Sequence, residues 1–100
     1  MDPDKPEFMI ADVVSPTAGR EAGKLYYVVG LDGEFVLLAN GKDRSLDKPK
    51  RKKRKHANKV LRSETRVADK LRLGDKVLDS ELRRDLACIG QELQSNAIGG

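Results

Sequence analysis

LYYVVGLDGEFVLLANG, residues 25–41, is the stretch whose reading decides the fold. Leu25-Tyr26-Tyr27-Val28-Val29 is aromatic and β-branched, and Glu34-Phe35-Val36-Leu37-Leu38-Ala39 is similar, which is the composition of β-strands. Between them Asp32-Gly33 offers two residues suited to positive φ, the chemistry of a tight type I′ hairpin. Asn40-Gly41 marks a second turn directly afterwards. Each strand is apolar on both faces, with Leu25, Tyr27 and Val29 opposite Tyr26 and Val28. A sheet open to water on one side alternates more cleanly, so the pair is expected to be wrapped into a small barrel.

Upstream, Met9-Ile10-Ala11-Asp12-Val13-Val14 reads as a shorter strand ending at Ser15-Pro16. An exposed loop over residues 17–24 joins it to the next strand. Gly19 and Gly23 in that loop permit positive φ or close backbone approach, and Arg20 and Lys24 stand beside them. Downstream, residues 42–46 form a charged fourth strand stopped by Pro49, and a fifth is placed within residues 56–61 on Val60 and Leu61. The period then changes. Ser63 is a candidate N-cap for a helix over residues 64–71, with Val67 and Leu71 on one face and Gly74 ending it. Leu78, Leu82, Leu86, Ile89 and Leu93 recur at helical spacing, predicting an amphipathic helix capped near Asp79 or Ser80 and weakened by Gly90. The domain reading is a disordered acidic lead over 1–7, a β-domain over 8–62, a helical extension over 63–95 and a frayed tail over 96–100. The fold class is mainly β with a helical C-terminal extension (α+β).

The charge is sharply partitioned. The 100 residues carry 20 Lys+Arg and 16 Asp+Glu, a net +4, with 4% aromatics and no Trp. Residues 1–47 hold five basic and nine acidic side chains, and residues 63–100 hold six and seven. Residues 48–62 hold nine basic side chains and no acidic one: Lys48, Lys50, Arg51, Lys52, Lys53, Arg54, Lys55, Lys59 and Arg62. Neighbouring cations repel, so a block this dense normally meets a polyanion or stays solvated. Extended, it would space cations at most about 3.3 Å apart per residue, comparable with the phosphate repeat of a nucleic-acid strand. Contacts from six of them imply a log–log salt slope of roughly −4 to −5. Lys outnumbers Arg six to three in the block, which favours phosphate contacts over base reading. A solvated linker or a nuclear-import signal is the competing reading of such a run.

Other chemistry finds little support. A single Cys, Cys88, leaves no intramolecular disulfide, and with one His, His56, no zinc site of Cys and His ligands. Cys88 lies beside Leu86 and Ile89, which places it in or near the core as an inert thiol. His56 is surrounded by cations. No glycine pattern makes a phosphate cradle, and the carboxylates are scattered over turns and exposed helix faces, so no enzyme is read here. No apolar run approaches the roughly 20 residues of a membrane span, and MDPDKPEF is no secretory signal. Tyr26, Tyr27 and Phe35 are assigned to packing rather than base stacking. The expectation is a monomeric cytoplasmic protein with no cofactor, metal, membrane or small-molecule partner.

The stretch VVSPTAGREAGKLYYVVGLDGEFVLLANGKDR, residues 13–44, resembles the KOW motif of ribosomal and transcription-elongation proteins, a strand, a basic glycine-containing loop and a second strand. Val13-Val14, Gly19, Arg20, Gly23-Lys24 and Tyr27-Val28-Val29 carry the match. Through FVLLANGK and LDKPKRKKRKH the chain is similar to small bacterial KOW-domain RNA-binding proteins, relatives of KOW-type large-subunit ribosomal proteins of archaea and eukaryotes. The resemblance implies a small SH3-like β-barrel, ahead of the two short helices read above, and binding to structured ribosomal RNA or the ribosome. It puts Arg20 and Lys24 on an RNA-facing loop that holds Gly19 and Gly23, with residues 48–56 extending the contact; the charge of the basic block adds Lys59 and Arg62 as RNA-binding candidates. KOW domains also bind proteins. A KOW-type interaction module of the translation or transcription machinery, its basic run only an electrostatic tether, is the alternative.

Overall fold

Tyr26, Tyr27, Val28, Val36 and Leu38 are completely buried, and the two runs that hold them pair as the central hairpin of the sheet. The computed structural model describes residues 7–99, so the predicted disorder of residues 1–6 lies outside the described residues. Five strands are present: β1 (Asp12–Pro16), β2 (Tyr26–Asp32), β3 (Phe35–Ala39), β4 (Lys50–Lys53) and β5 (Ala57–Arg62). A 3-10 turn, Arg54–His56, joins β4 to β5, and two helices follow, α1 (Arg66–Leu73) and α2 (Asp79–Gly99). The β2–β3 loop is Gly33-Glu34, with Asp32 paired to Phe35, and only Gly33 takes positive φ. Positive φ at the first loop position alone is the II′ arrangement, one residue later than the Asp32-Gly33 turn expected.

All pairings are antiparallel, in the order β4-β3-β2-β1-β5. The expected closed barrel is not formed, because β4 and β5 are the two edges of the ladder. The apolar character of both strand faces has a different origin. One face, with Val13, Tyr27 and Ala39, packs against Ala68 of α1 and Leu82, Leu86 and Ile89 of α2. The other, with Val14, Tyr26, Val28, Val36 and Leu38, is completed by Phe8 and Ala57, with no helix residue in the cluster. Irregularities between Val13 and Val14 and between Val28 and Gly30 interrupt the register. Such bulges bend and twist a strand, so the sheet can curl over a face that no helix covers. Gly30 sits at one of them, where a Cβ would come 2.7 Å from Leu37 Cδ1.

Residues 42–46 are not the expected strand. The Asn40 side-chain oxygen accepts the backbone N–H groups of Lys42, Asp43 and Arg44 at 3.0, 2.9 and 3.1 Å, so this segment's donors are spent locally rather than in a ladder. Gly41 (φ 76°) lies so close to the start of α2 that a Cβ would overlap the Asp79 carbonyl. Leu46 N–H then donates to Asp79 Oδ1 at 2.8 Å. The fourth strand begins instead after Pro49, and β4 pairs its KRKK with the apolar β3. Long aliphatic stems allow this, and charged edge strands resist edge-to-edge association.

Thr65, not Ser63, caps α1, its hydroxyl accepting the Ala68 N–H at 3.2 Å, and Gly74 ends the helix in the left-handed region as expected. Ser63 is instead buried, 2.8 Å from the Tyr27 hydroxyl. That hydroxyl donates to the Asp85 carboxylate, which also accepts from Thr65. Burial, and then the Asp85 hydrogen bond, push the Tyr27 phenol up to about 12, so it stays a donor. The network docks α2 on the sheet. α2 is longer than the short helix expected. It runs to Gly99 through the predicted tail, since residues 95–98 contain no strong breaker. Leu82, Leu86 and Ile89 form its buried stripe, while Leu78 and Cys88 are exposed. Cys88 thus lies off the apolar stripe rather than in the core.

Gly90 lies inside α2, and a Cβ there would sit 3.7 Å from Leu25 Cδ1, an ordinary van der Waals contact. Gly90→Ala is therefore expected to stabilise the protein by about 1 kcal/mol. A thermal melt should rise by about 4–8 °C. A lowered melting temperature would show that α2 has no room beside Leu25.

Candidate nucleic-acid interface

The basic block is not a continuous extended line of cations. Along β4 the side chains alternate, with Lys50 and Lys52 half-buried and Arg51 and Lys53 exposed. The 3-10 turn then redirects the chain, and β5 returns along β1 at the opposite sheet edge. Pro16 pairs with Ala57 and Asp12 with Arg62, so Arg62 is about 17 Å along the strand from the turn, at roughly 3.3 Å per residue. Lys59 and Arg62 are thereby separated from the rest of the block.

The β1–β2 loop and the β4 turn converge. Thr17 N–H donates to the His56 carbonyl at 2.9 Å, and Arg54 N–H donates to the Glu34 carbonyl at 2.9 Å. Lys52 reaches across the sheet, donating to the Ala18 carbonyl at 2.8 Å. Its ammonium lies 3.6 Å from Glu21, whose other carboxylate oxygen is 3.3 Å from Arg44. Gly19 and Gly23 both take φ 83°, the positive values expected of them, and a Cβ on Gly19 would lie 3.0 Å from both Glu21 and Lys52. Lys24 pairs with Asp43 at 3.0 Å, a second tie between the β1–β2 loop and the loop after β3. Glu21 is nearly buried. Its own backbone N–H, which donates to the carboxylate, holds its pKa below the ordinary glutamate value. Burial opposes this, while Arg44, Lys52 and Lys50 reinforce it.

These contacts sort the twelve predicted RNA-binding side chains. Lys52 is committed to the loop, its side chain only 13% exposed. Arg51 pairs with Asp32 at 3.3 Å and stacks 3.9 Å over the Phe35 ring. Lys59 pairs with the buried Asp12 carboxylate at 3.2 Å, and Lys24 with Asp43. Arg20, Lys48, Lys50, Lys53, Arg54, Lys55 and Arg62 have no ion-pair partner among the described residues. Of these, Arg20, Lys48, Lys53, Lys55 and Arg62 are exposed, while Lys50 and Arg54 are half-buried, as is His56. The Arg54 Nε is buried without a hydrogen-bond partner. The turn after β4 therefore runs from the β2–β3 hairpin, where Arg54 meets Glu34, to the β1–β2 loop, where His56 meets Thr17 three residues before Arg20. Tyr26 and Tyr27 are buried, Phe8 is buried and Phe35 is under Arg51, so all four aromatic side chains are engaged in packing. Sequence reading missed Arg44 and Glu21, whose only signal was that each is a charge within a glycine-bearing turn.

Among the described residues no group of three His, Cys, Asp or Glu side chains could hold a metal ion, and no helix is long and apolar enough to cross a membrane. The chain matches no protein-family model and no curated protein.

The lowered pKa of Glu21 gives a pH test. A folded value below the unfolded one means its stabilisation is complete above the ordinary glutamate value of 4.5 and is lost as pH falls through the folded value. Glu21→Gln should cost about 1–3 kcal/mol at neutral pH. The gap between the two proteins in urea denaturation should close as pH falls below 4.5. A gap that stays constant with pH would mean the Glu21 charge holds nothing together.

Proposed function

We propose that this is a non-enzymatic RNA-binding protein with SH3-like, KOW-type architecture, contacting structured ribosomal RNA at the ribosome in the cytoplasm. The observation that carries the reading is the contact of the β1–β2 loop, which carries unpaired Arg20, with the turn after β4, which carries unpaired Arg54 and Lys55, through Thr17–His56 and Lys52–Ala18. Several architectural features support the SH3-like assignment. Four strands follow one another as a meander, the fifth returns beside the first, and a 3-10 turn precedes it. The helix-free apolar cluster on one face of the sheet is the core such a barrel would have.

The mechanism follows from what the side chains offer. Lys53, Lys55 and Lys48 supply exposed point charges to phosphates, and each phosphate neutralised releases counterion. Arg20, on a loop tied at Thr17, Ala18 and Glu21, holds a fixed position relative to them. With every aromatic occupied in packing, base stacking is not available as the source of affinity. Recognition by phosphate contact and helix shape is the mode that remains, and it suits structured RNA.

Lys48→Gln/Lys53→Gln/Lys55→Gln removes three exposed charges and leaves Lys52 in place. It is expected to keep the fold, weaken binding to a structured ribosomal RNA fragment and flatten the log–log salt slope by about 2 to 3 units. Arg62→Gln, at the far end of β5, should have a much smaller effect. Unchanged RNA affinity in the triple variant would remove the basis for this reading and leave a protein partner as the function of the module.

A further inference from the structure

Between the β1–β2 loop and the loop after β3 lies a cleft of about 190 Å³, lined by Arg20, Glu21, Lys24, Tyr26, Asp43 and Arg44. Tyr26 lines it from within the sheet. The residue is 0% exposed, and its hydroxyl has no hydrogen-bond partner among the described residues. A buried hydroxyl without a partner costs free energy, and the minority that persist commonly mark a ligand or functional position. The geometry points to this cleft as a phosphate-binding subsite, in which the Tyr26 hydroxyl donates to a phosphate oxygen and Arg20, Lys24 and Arg44 surround the charge.

The charges favour an anion over a cation. Both carboxylates at the cleft are already engaged, Glu21 by Arg44 and Lys52 and Asp43 by Lys24 and Asn40. Arg20 has no partner among the described residues, so its guanidinium is available. Arg44 uses Nη2 on Glu21, which leaves its other N–H groups to donate elsewhere. Burial, together with Asp43 and Glu21, raises the Tyr26 pKa, so the phenol keeps its proton and is a donor at neutral pH. The cleft walls are held in place: Asn40 organises one loop and the Glu21 contacts fix the other. A phosphate group is the shared chemistry of two sources, an RNA backbone phosphodiester and a free phosphate or nucleotide. The subsite shares Arg20 and Lys24 with the RNA-binding reading and in that respect rests on it.

Tyr26→Phe removes only the hydroxyl, and Arg20→Gln is a second, surface variant that cannot disturb the core. Binding of inorganic phosphate and of a structured RNA fragment would be measured by calorimetry on the whole chain and both variants. The expected result is a loss of about tenfold in phosphate affinity for each variant, the size of a lost hydrogen bond to a charged group. A parallel loss of RNA affinity would identify the backbone as the source. Phosphate binding that depends on Tyr26 without any RNA binding would support the subsite and overturn the RNA reading. If the wild-type chain binds no phosphate and Tyr26→Phe leaves RNA affinity unchanged, the subsite is overturned while the RNA reading stands. Phosphate binding that is equal in wild type and Tyr26→Phe would also overturn it.

Discussion

A carboxylate taken almost entirely out of water within a loop is tolerable only where cations converge on it, and Glu21 is that carboxylate. Arg44 comes from the turn after β3 and Lys52 from the far edge strand β4, and the Lys52 ammonium also caps the Ala18 carbonyl. One acidic side chain thus ties together three segments remote in sequence. The turn carrying Arg44 is itself organised by Asn40 and docked on the start of α2 through Gly41 and Asp79. Position therefore passes from the helix, through the Asn40 turn, to the β1–β2 loop and its Arg20. The open hydrogen-bonded ladder is bridged by this ion pair rather than by a further strand pairing.

The same contacts change what the basic run can do. A fully extended +9 segment would repel itself along its length. The fold divides it: Lys52 and Lys59 are drawn toward acidic partners of the acidic N-terminal half, Glu21 and Asp12, and the 3-10 turn separates β4 from β5. Part of the charge becomes structural cement, and the unpaired remainder is divided among Lys48 and Lys50 at the start of β4, Lys53, Arg54 and Lys55 at the turn, and Arg62 at the end of β5. On the proposed RNA-binding reading, fewer phosphates would be contacted than the run's length suggests.

Much of the strand framework was legible, because the runs holding Tyr26, Tyr27, Val36 and Leu38 combine β propensity with Gly-bearing turns at their ends, and these residues are completely buried. The stripe of Leu82, Leu86 and Ile89 was legible for the matching helical reason. The inference of a closed barrel went too far on one point of physics: two apolar faces require two covers, and local sequence does not say whether a cover is sheet or helix. Here α1 and α2 supply one of them. The strand at residues 42–46 was misplaced because a single Asn side chain satisfied three backbone donors, a local competitor that charge alternation does not reveal. Within the site, the residue types of the loop were legible, but the partition into paired and unpaired cations depends on contacts such as Lys52 with Glu21 that span 31 positions. Tyr26 belonged correctly to the core, yet only the fold shows its hydroxyl at a cleft lined by charges.

Backbone amide chemical-shift mapping with a structured ribosomal RNA fragment tests the central claim most directly. The account expects the largest perturbations in two separate stretches, residues 17–24 and 48–56, with Arg62 and the exposed face of α2 little changed. Perturbations concentrated on β5 and α2, or none at all, would contradict it.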